Sequence, residues 1–407
     1  MTRLETDLVP QSSNDDALPQ GRSRRGKLRF DLLLKGGRVI DPSLAMNGQA
    51  DVAFAGERVA AIGPNLDADS ADEVRDVRGL IVSPGFIDLH THVYWGGTAL
   101  GIDANEAARR SGVTTFVDAG SAGPGNFRGF RKHVIAPSEP RILAYLHVSF
   151  AGIYAFSRTV MVGESANMKL LSAPDAVKVA TDNPDTIVGI KVRVGRNASG
   201  DSGIAPLKVA LEVAEQTGLP LMAHIDEPPP SYTEAVECLR AGDVLTHCFR
   251  PSPNSPVGDD GRPLPPVVAA RRRGVLFDIG HGMGSFSFEV AKAMMAAGFP
   301  PDTISSDIHD LNVDGPVFDL PTTMSKFLAL GMPVEEVIRT STNNAAAAIR
   351  RSDLGTLRQG AAGDATIFRL EPGRHMFRDS KGAEMVGRER IAVAACVIGG
   401  RYRAVVG

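Results

Sequence analysis

Val82-Ser83-Pro84-Gly85-Phe86-Ile87-Asp88-Leu89-His90-Thr91-His92 is an apolar run that ends in two histidines spaced i, i+2. Strand side chains alternate with period two, so segment 86–92, read as a strand, sends both imidazoles off one face. Two neutral nitrogen donors converging on one point can share a metal ion. The rest of the chain divides around this segment.

Downstream, residues 83–352 alternate strand-like and helix-like patterns, which implies βα units and a parallel sheet. Strand candidates fall at 86–92, 115–119, 142–149, 188–194, 219–225, 244–248, 275–279 and 303–308, with amphipathic helices between several of them, as at 207–217 and 233–241. Eight units in about 270 residues match the size of a (β/α)8 TIM-type barrel. Upstream, 29–82 reads as short strands broken by glycines, in Leu32-Leu33-Leu34-Lys35-Gly36-Gly37-Arg38-Val39-Ile40 and again over 50–62. Segments 364–368 and 393–400 have the same texture. The expected fold class is α/β: a barrel over 83–352 and a small β-sandwich built from both chain ends, 29–82 plus 353–407. Residues 1–28, polar and without an apolar core segment, read as a disordered extension rather than a secretory signal.

At 43% hydrophobic and 22% charged residues, the composition is that of an ordinary globular protein. A net charge of −3 gives no reason to expect nucleic acid as a partner, and the basic run 22–27 reads as a solvated tail. Cys238, Cys248 and Cys396 form no CxxC, which fits a reducing compartment. No apolar run reaches transmembrane length, so no membrane partner and a cytoplasmic location are expected.

The polar residues fall on this map in one place. His90 and His92 end the first strand. Lys191 lies in Gly189-Ile190-Lys191-Val192-Arg193, His224 ends Leu221-Met222-Ala223-His224, His247 ends Leu245-Thr246-His247, and Asp307 lies in Ser305-Ser306-Asp307-Ile308-His309. Barrel active sites are built at the C-terminal ends of the strands, so all six side chains would enter one cup. Taken singly, a strand histidine is more often a hydrogen-bonded core residue, and Asp307 could merely cap a turn. A lysine in an apolar strand has no cheap structural explanation, and six such residues at one end of a barrel outweigh the single readings. Four histidines and an aspartate can hold two divalent metal ions, zinc by default. A lysine ammonium would repel them, but Lys191 carbamylated by CO2 becomes an anionic oxygen ligand able to bridge both. His90, His92 and Asp307 would then hold the more buried ion and His224 and His247 the other, and a bridging water would lose a proton near neutral pH to become the nucleophile.

These residues resemble the amidohydrolase superfamily. The entry motif Pro84-Gly85-Phe86-Ile87-Asp88-Leu89-His90-Thr91-His92 carries the likeness, with Gly36-Gly37-Arg38-Val39-Ile40-Asp41-Pro42 and Gly360-Ala361-Ala362-Gly363-Asp364-Ala365-Thr366 in the flanks. Within it the chain is similar to the amidohydrolase/deacetylase proteins often labelled dihydroorotase-like, on Thr246-His247-Cys248-Phe249, Phe277-Asp278-Ile279-Gly280-His281-Gly282 and Asp319-Leu320-Pro321-Thr322-Thr323-Met324-Ser325-Lys326. The resemblance implies a binuclear zinc hydrolase with a carboxylated lysine. It also implies removal of acyl groups from small carboxylate-bearing compounds such as N-acyl amino acids or O-acetyl 2-hydroxy acids. One departure is Asn343-Asn344-Ala345, where the superfamily often has Asn-Pro-Ala, a structural difference.

In such a mechanism Asp307 would take the nucleophile's proton and return it to the leaving group. Arg193, two positions from Lys191 on the same strand face, could hold the substrate carboxylate or form an ion pair beneath the site. Tyr154, on the loop after the third strand, could serve a developing oxyanion or simply pack. His281, between Gly280 and Gly282, is expected to touch substrate; His147 is read as structural. Alternatives are a cyclic amidohydrolase of dihydroorotase or hydantoinase type, a mononuclear deaminase served by Glu227 three positions past His224, and a non-catalytic scaffold, which six intact ligand positions disfavour. A homo-oligomer acting on a small-molecule substrate is expected.

Overall fold

The computed structural model describes residues 29–405, so the extension 1–28 and its basic run lie outside the described residues. Five strands precede the entry motif: β1 (Phe30–Asp41), β2 (Met46–Ala55), β3 (Arg58–Gly63), β4 (Ala71–Asp76) and β5 (Ile81–Pro84). The motif itself forms β6 (Phe86–Thr91), followed by β7 (Val113–Ala119), β8 (Arg141–His147), β9 (Ile187–Val194), β10 (Leu221–Ile225), β11 (Val244–Leu245) and β12 (Leu276–Phe277). The chain closes with β13 (Ala365–Arg378), β14 (Glu384–Ile398) and β15 (Arg401–Ala404).

Strands β6 to β12 make one sheet in sequence order, every neighbour parallel. Helices fill most of the crossovers. Ala205–Thr217 starts with Pro206 in its first turn, stops at Gly218 in the left-handed region (φ 70°), and buries Leu207, Ala210, Val213 and Ala214 along one stripe. Tyr232–Cys238 is entered through a reciprocal Ser231–Glu234 capping box.

The eighth unit departs from expectation. Segment 303–308 is not a strand; it makes isolated parallel bridges, Thr303 to Asp278 beyond β12 and Ile308 to Thr91 on β6. Its backbone bonds both edges of the seven-stranded sheet: His281 N donates to Ser305 O (3.2 Å), and Asp307 N donates to His90 O (2.7 Å). Extended geometry fails because Asp307 sits at φ 51°. Candidates 244–248 and 275–279 shrink to two residues each for the same reason, with His247 at φ 63° and Gly280 at φ 46° just beyond them.

The other sheet joins both chain ends, in the order β15-β14-β13-β5-β1-β2-β3, with β4 beside the first half of β1. β1 serves two parallel partners in turn, β4 over Phe30 to Lys35 and β5 at Arg38 and Val39, and its pairing with β2 shifts register between Leu34 and Gly37. Leu32, Val52, Phe54, Val82, Ile367 and Val397 pack its core. The hairpin β13–β14 is far longer than the candidates 364–368 and 393–400. Gly85 joins the two sheets, where a Cβ would overlap Thr114 Oγ1. No helix among the described residues is long and apolar enough to cross a membrane.

Candidate metal centre

His90 and His92 both reach Asp307: Nε2 of each lies 3.3 and 3.2 Å from Asp307 Oδ1. The pairing of β6 with β7 shifts register between Asp88 and Thr91, which re-aims the end of the strand. The opposite nitrogens are engaged. Thr246 spends its hydroxyl proton on Asp278 Oδ2 (2.7 Å), so its oxygen accepts from His90 Nδ1 (2.8 Å). That tautomer leaves the His90 Nε2 lone pair free. His92 Nδ1 lies 2.9 Å from Ser121 Oγ. Asp278 is a buried hub that also accepts from Thr303 (2.7 Å) and Ser305 (2.8 Å).

His247 Nδ1 donates to Gly280 O at 2.6 Å, which again frees Nε2, and that atom stands 2.6 Å from His224 Nδ1. Burial holds the imidazoles of His90, His224 and His247 well below their ordinary pKa and brings His92 down to about 3. All four are therefore neutral, the form that binds metal.

Lys191, on β9, is fully buried with Nζ 3.4 Å from His90 Nε2 and no ion pair among the described residues. Burial pulls its amine down to about 7. Gly120, at φ 89°, makes room for it: a Cβ there would stand 2.6 Å from Lys191 Cγ. Burial pushes the Asp307 carboxyl up to about 6.

A metal fits this donor set. One ligand atom each from His90, His92 and Asp307 lies within 4.8 Å of the others. His224 Nε2 is buried without a hydrogen-bond partner among the described residues, with Asp226 Oδ2 standing off at 3.7 Å, an arrangement that costs free energy unless something binds there.

A cavity of about 280 Å³ opens onto the cluster; His90, His92, His224 and Asp307 lie at its wall, along with Arg193, Arg250 and Glu227. Arg193 Nη1 is 3.2 Å from Glu164 Oε2, and its guanidinium lies 5.0 Å over the Phe156 ring. Glu164, itself buried, also faces His147 Nε2 at 3.2 Å. Arg250 was not found from sequence. It is buried at the cavity wall, bonds Ile225 O through Nη1, leaves Nε without a partner, and has no carboxylate in ion-pair range among the described residues. Its nearest acid by charge, Asp226, accepts the backbone N–H groups of Asn197 and Ala198 (3.1 Å each). The available signal was a cation three residues past a strand-end histidine.

Two expectations need correction. Tyr154 is 40% exposed and off the cavity wall; Phe156 and Met161, joined by an isolated bridge, reach the rim of the cavity instead. His281 is fully buried and also off the wall. Gly280 and Gly282, both at positive φ, swing its ring outward to Phe286, 4.7 Å away.

No family model matches the chain. It is 38% identical over 339 residues, 83% of each chain, to the deacetylase Atu3266 of Agrobacterium fabrum. It is 33% identical over 377 residues to a deacetylase of Enterococcus faecalis, covering 91% of this chain and 98% of that one. Among solved structures, an adenine deaminase superposes with a TM-score of 0.87 at 32% identity, covering 92% of this chain and all (100%) of that one.

Proposed function

The chain belongs to the amidohydrolase superfamily and is a hydrolase; from that premise we propose that it is a metal-dependent deacetylase. Its substrate would be the acyl amide or ester of a small carboxylate-bearing compound, such as an N-acyl amino acid or an O-acetyl 2-hydroxy acid. We read the seven-stranded sheet and the bridging segment 303–308 as the eight-unit barrel of 83–352, and the second sheet as the sandwich of both chain ends.

Lys191 is the observation that carries the reading. It is a fully buried lysine with no ion pair among the described residues, set among four neutral imidazoles and the Asp307 carboxylate. An amine brought down to about 7 is about half unprotonated at neutral pH, and that free fraction can attack CO2. A nitrogen–carbon bond forms, one proton leaves, and the product is an anionic carbamate. His90, His92 and Asp307 would hold one divalent ion and His224 and His247 a second, linked by that carbamate. Bound there, such ions supply a water acidic enough to attack at neutral pH and polarise the carbonyl to be attacked.

The protein's own groups do the rest. Asp307 accepts a proton from the attacking water and returns it to the leaving amine or alkoxide. Arg250, the unpaired cation, takes the substrate carboxylate, while Arg193, already balanced by Glu164, lines the wall beside it. Phe156 and Met161 cover part of the cavity and limit access of bulk water.

A mononuclear deaminase is the second reading, favoured by Glu227 at the cavity wall and by the likeness to an adenine deaminase. The test is a panel: both enantiomers of N-acetyl amino acids and O-acetyl 2-hydroxy acids, with dihydroorotate, a hydantoin and adenine, each against wild type and Asp307→Asn. Acetate release that disappears in the variant is expected. Ring opening alone would make the protein a cyclic amidohydrolase, and ammonia from adenine alone would make it a deaminase.

A further inference from the structure

Two lysines are buried among the described residues, and only Lys191 belongs to the metal cluster. The other, Lys326, stands on the helix Leu320–Ala329. Burying an amine is expensive, and an apolar side chain of similar length would fill the space without that cost. Its contacts point to another use. Nζ donates to Pro316 O (2.8 Å) and to His281 Nε2 (2.8 Å). His281 Nδ1 donates in turn to Gly282 O (2.9 Å), so Nε2 carries the lone pair that Lys326 needs.

The turn that Lys326 pins touches the metal cluster on both sides of His281. Before it, Gly280 O takes the His247 Nδ1 proton at 2.6 Å and so presents Nε2 to the site. After it, Gly282 packs so closely that a Cβ would overlap Asp307 Oδ2. The turn hangs from segment 303–308 by His281 N to Ser305 O (3.2 Å) and Gly282 N to Ser306 O (3.0 Å). We propose that Lys326 is a positioning residue for the metal centre. Through His281 it locks the 280–282 turn, and through that turn it sets the tautomer of His247 and the seat of Asp307. This rests on reading His247 and Asp307 as metal ligands. It gives a role to two sequence motifs, Gly280-His281-Gly282 and 319–326, neither of which puts a histidine or lysine on the cavity wall.

The test uses Lys326→Met, and His281→Asn, whose Nδ2 can still donate to Gly282 O but which is too short to offer Lys326 an acceptor where Nε2 stood. Metal affinity is measured by chelator competition, alongside the melting temperature of each metal-free form and kcat and KM at saturating metal. Metal-free melting close to wild type is expected, with affinity for the weaker-bound ion reduced about 10- to 100-fold and a fall in kcat at unchanged KM. If Lys326→Met does not fold, His281→Asn carries the same expectation. Wild-type metal affinity in the folded variants would overturn the proposal while leaving the proposed function standing. A wild-type protein that binds no metal would overturn both.

Discussion

Asp307, the proton carrier we propose, is constrained at both its backbone and its side chain. Its backbone is held at φ 51° by the bond from its own N–H to His90 O and by Asn312 Nδ2 donating to its carbonyl (2.8 Å). A non-glycine residue in that region costs of order 1 kcal/mol, which the surrounding bonds must offset. Its carboxyl, raised to about 6 by burial, works as a base only when ionised. An ion held by that carboxyl must displace this proton, so metal affinity should fall as pH drops through about 6, read by chelator competition. Asp307→Asn should lower kcat by about 10²- to 10⁴-fold and flatten that dependence. Arg250→Met should raise KM for carboxylate substrates by about 30-fold or more, with a smaller effect on esters lacking the carboxylate. His90 and His92 were legible from strand parity. Arg250 was not, because whether a cation is paired depends on residues distant in sequence: Arg193 has Glu164, 29 positions away, and Arg250 has no such acid among the described residues.

At the scale of elements, the site is assembled by departures from regular strands. The sequence pattern marks 244–248, 275–279 and 303–308 as strands because each carries β-branched residues, with apolar neighbours in the first two. Left-handed residues at His247 and Asp307 then break two of them, and Gly280 ends the third, where they reach the histidine–aspartate cluster. Local hydrophobicity cannot reveal such breaks, since they depend on bonds from other segments. His281 was misjudged for the same reason: two flanking glycines announce a turn without giving its direction. Gly280→Ala puts a Cβ against Thr246 Oγ1 and strains a φ of 46°. It should cost about 1–3 kcal/mol in denaturant unfolding, and chelator competition should show weakened metal binding because Thr246 and His247 are displaced. The alternation of parallel strands with helices was readable because amphipathic helices such as Ala205–Thr217 give a strong local signal. The extent of β13 and β14 was not, since their outer halves are largely polar.

Across the whole molecule, the proposed ligand set spans the seam of the parallel sheet. His90 and His92 come from β6 and Asp307 from the segment that bonds both β6 and the region past β12. Metal binding should therefore stabilise the fold, by about 4 kcal/mol at metal concentrations a thousandfold above Kd, and chelation should lower the melting temperature. In the metal-free, uncarbamylated protein Lys191 gives a pH signature. Its folded pKa, about 7, lies below its ordinary 10.5, so the folded state binds this proton less tightly than the unfolded state. Its contribution to stability is fully present above 10.5 and is lost as pH falls through 7. Lys191→Met should flatten the urea-midpoint profile between those two values.

The central claim is that five side chains and a carbamate hold two ions. The most direct measurement is metal per chain by mass spectrometry after reconstitution with zinc and bicarbonate, for wild type and Lys191→Met. Two ions per wild-type chain are expected, with bicarbonate required to reach that number and the variant falling short of it. A wild type that saturates at one ion, with or without bicarbonate, and a variant that matches it would contradict the claim.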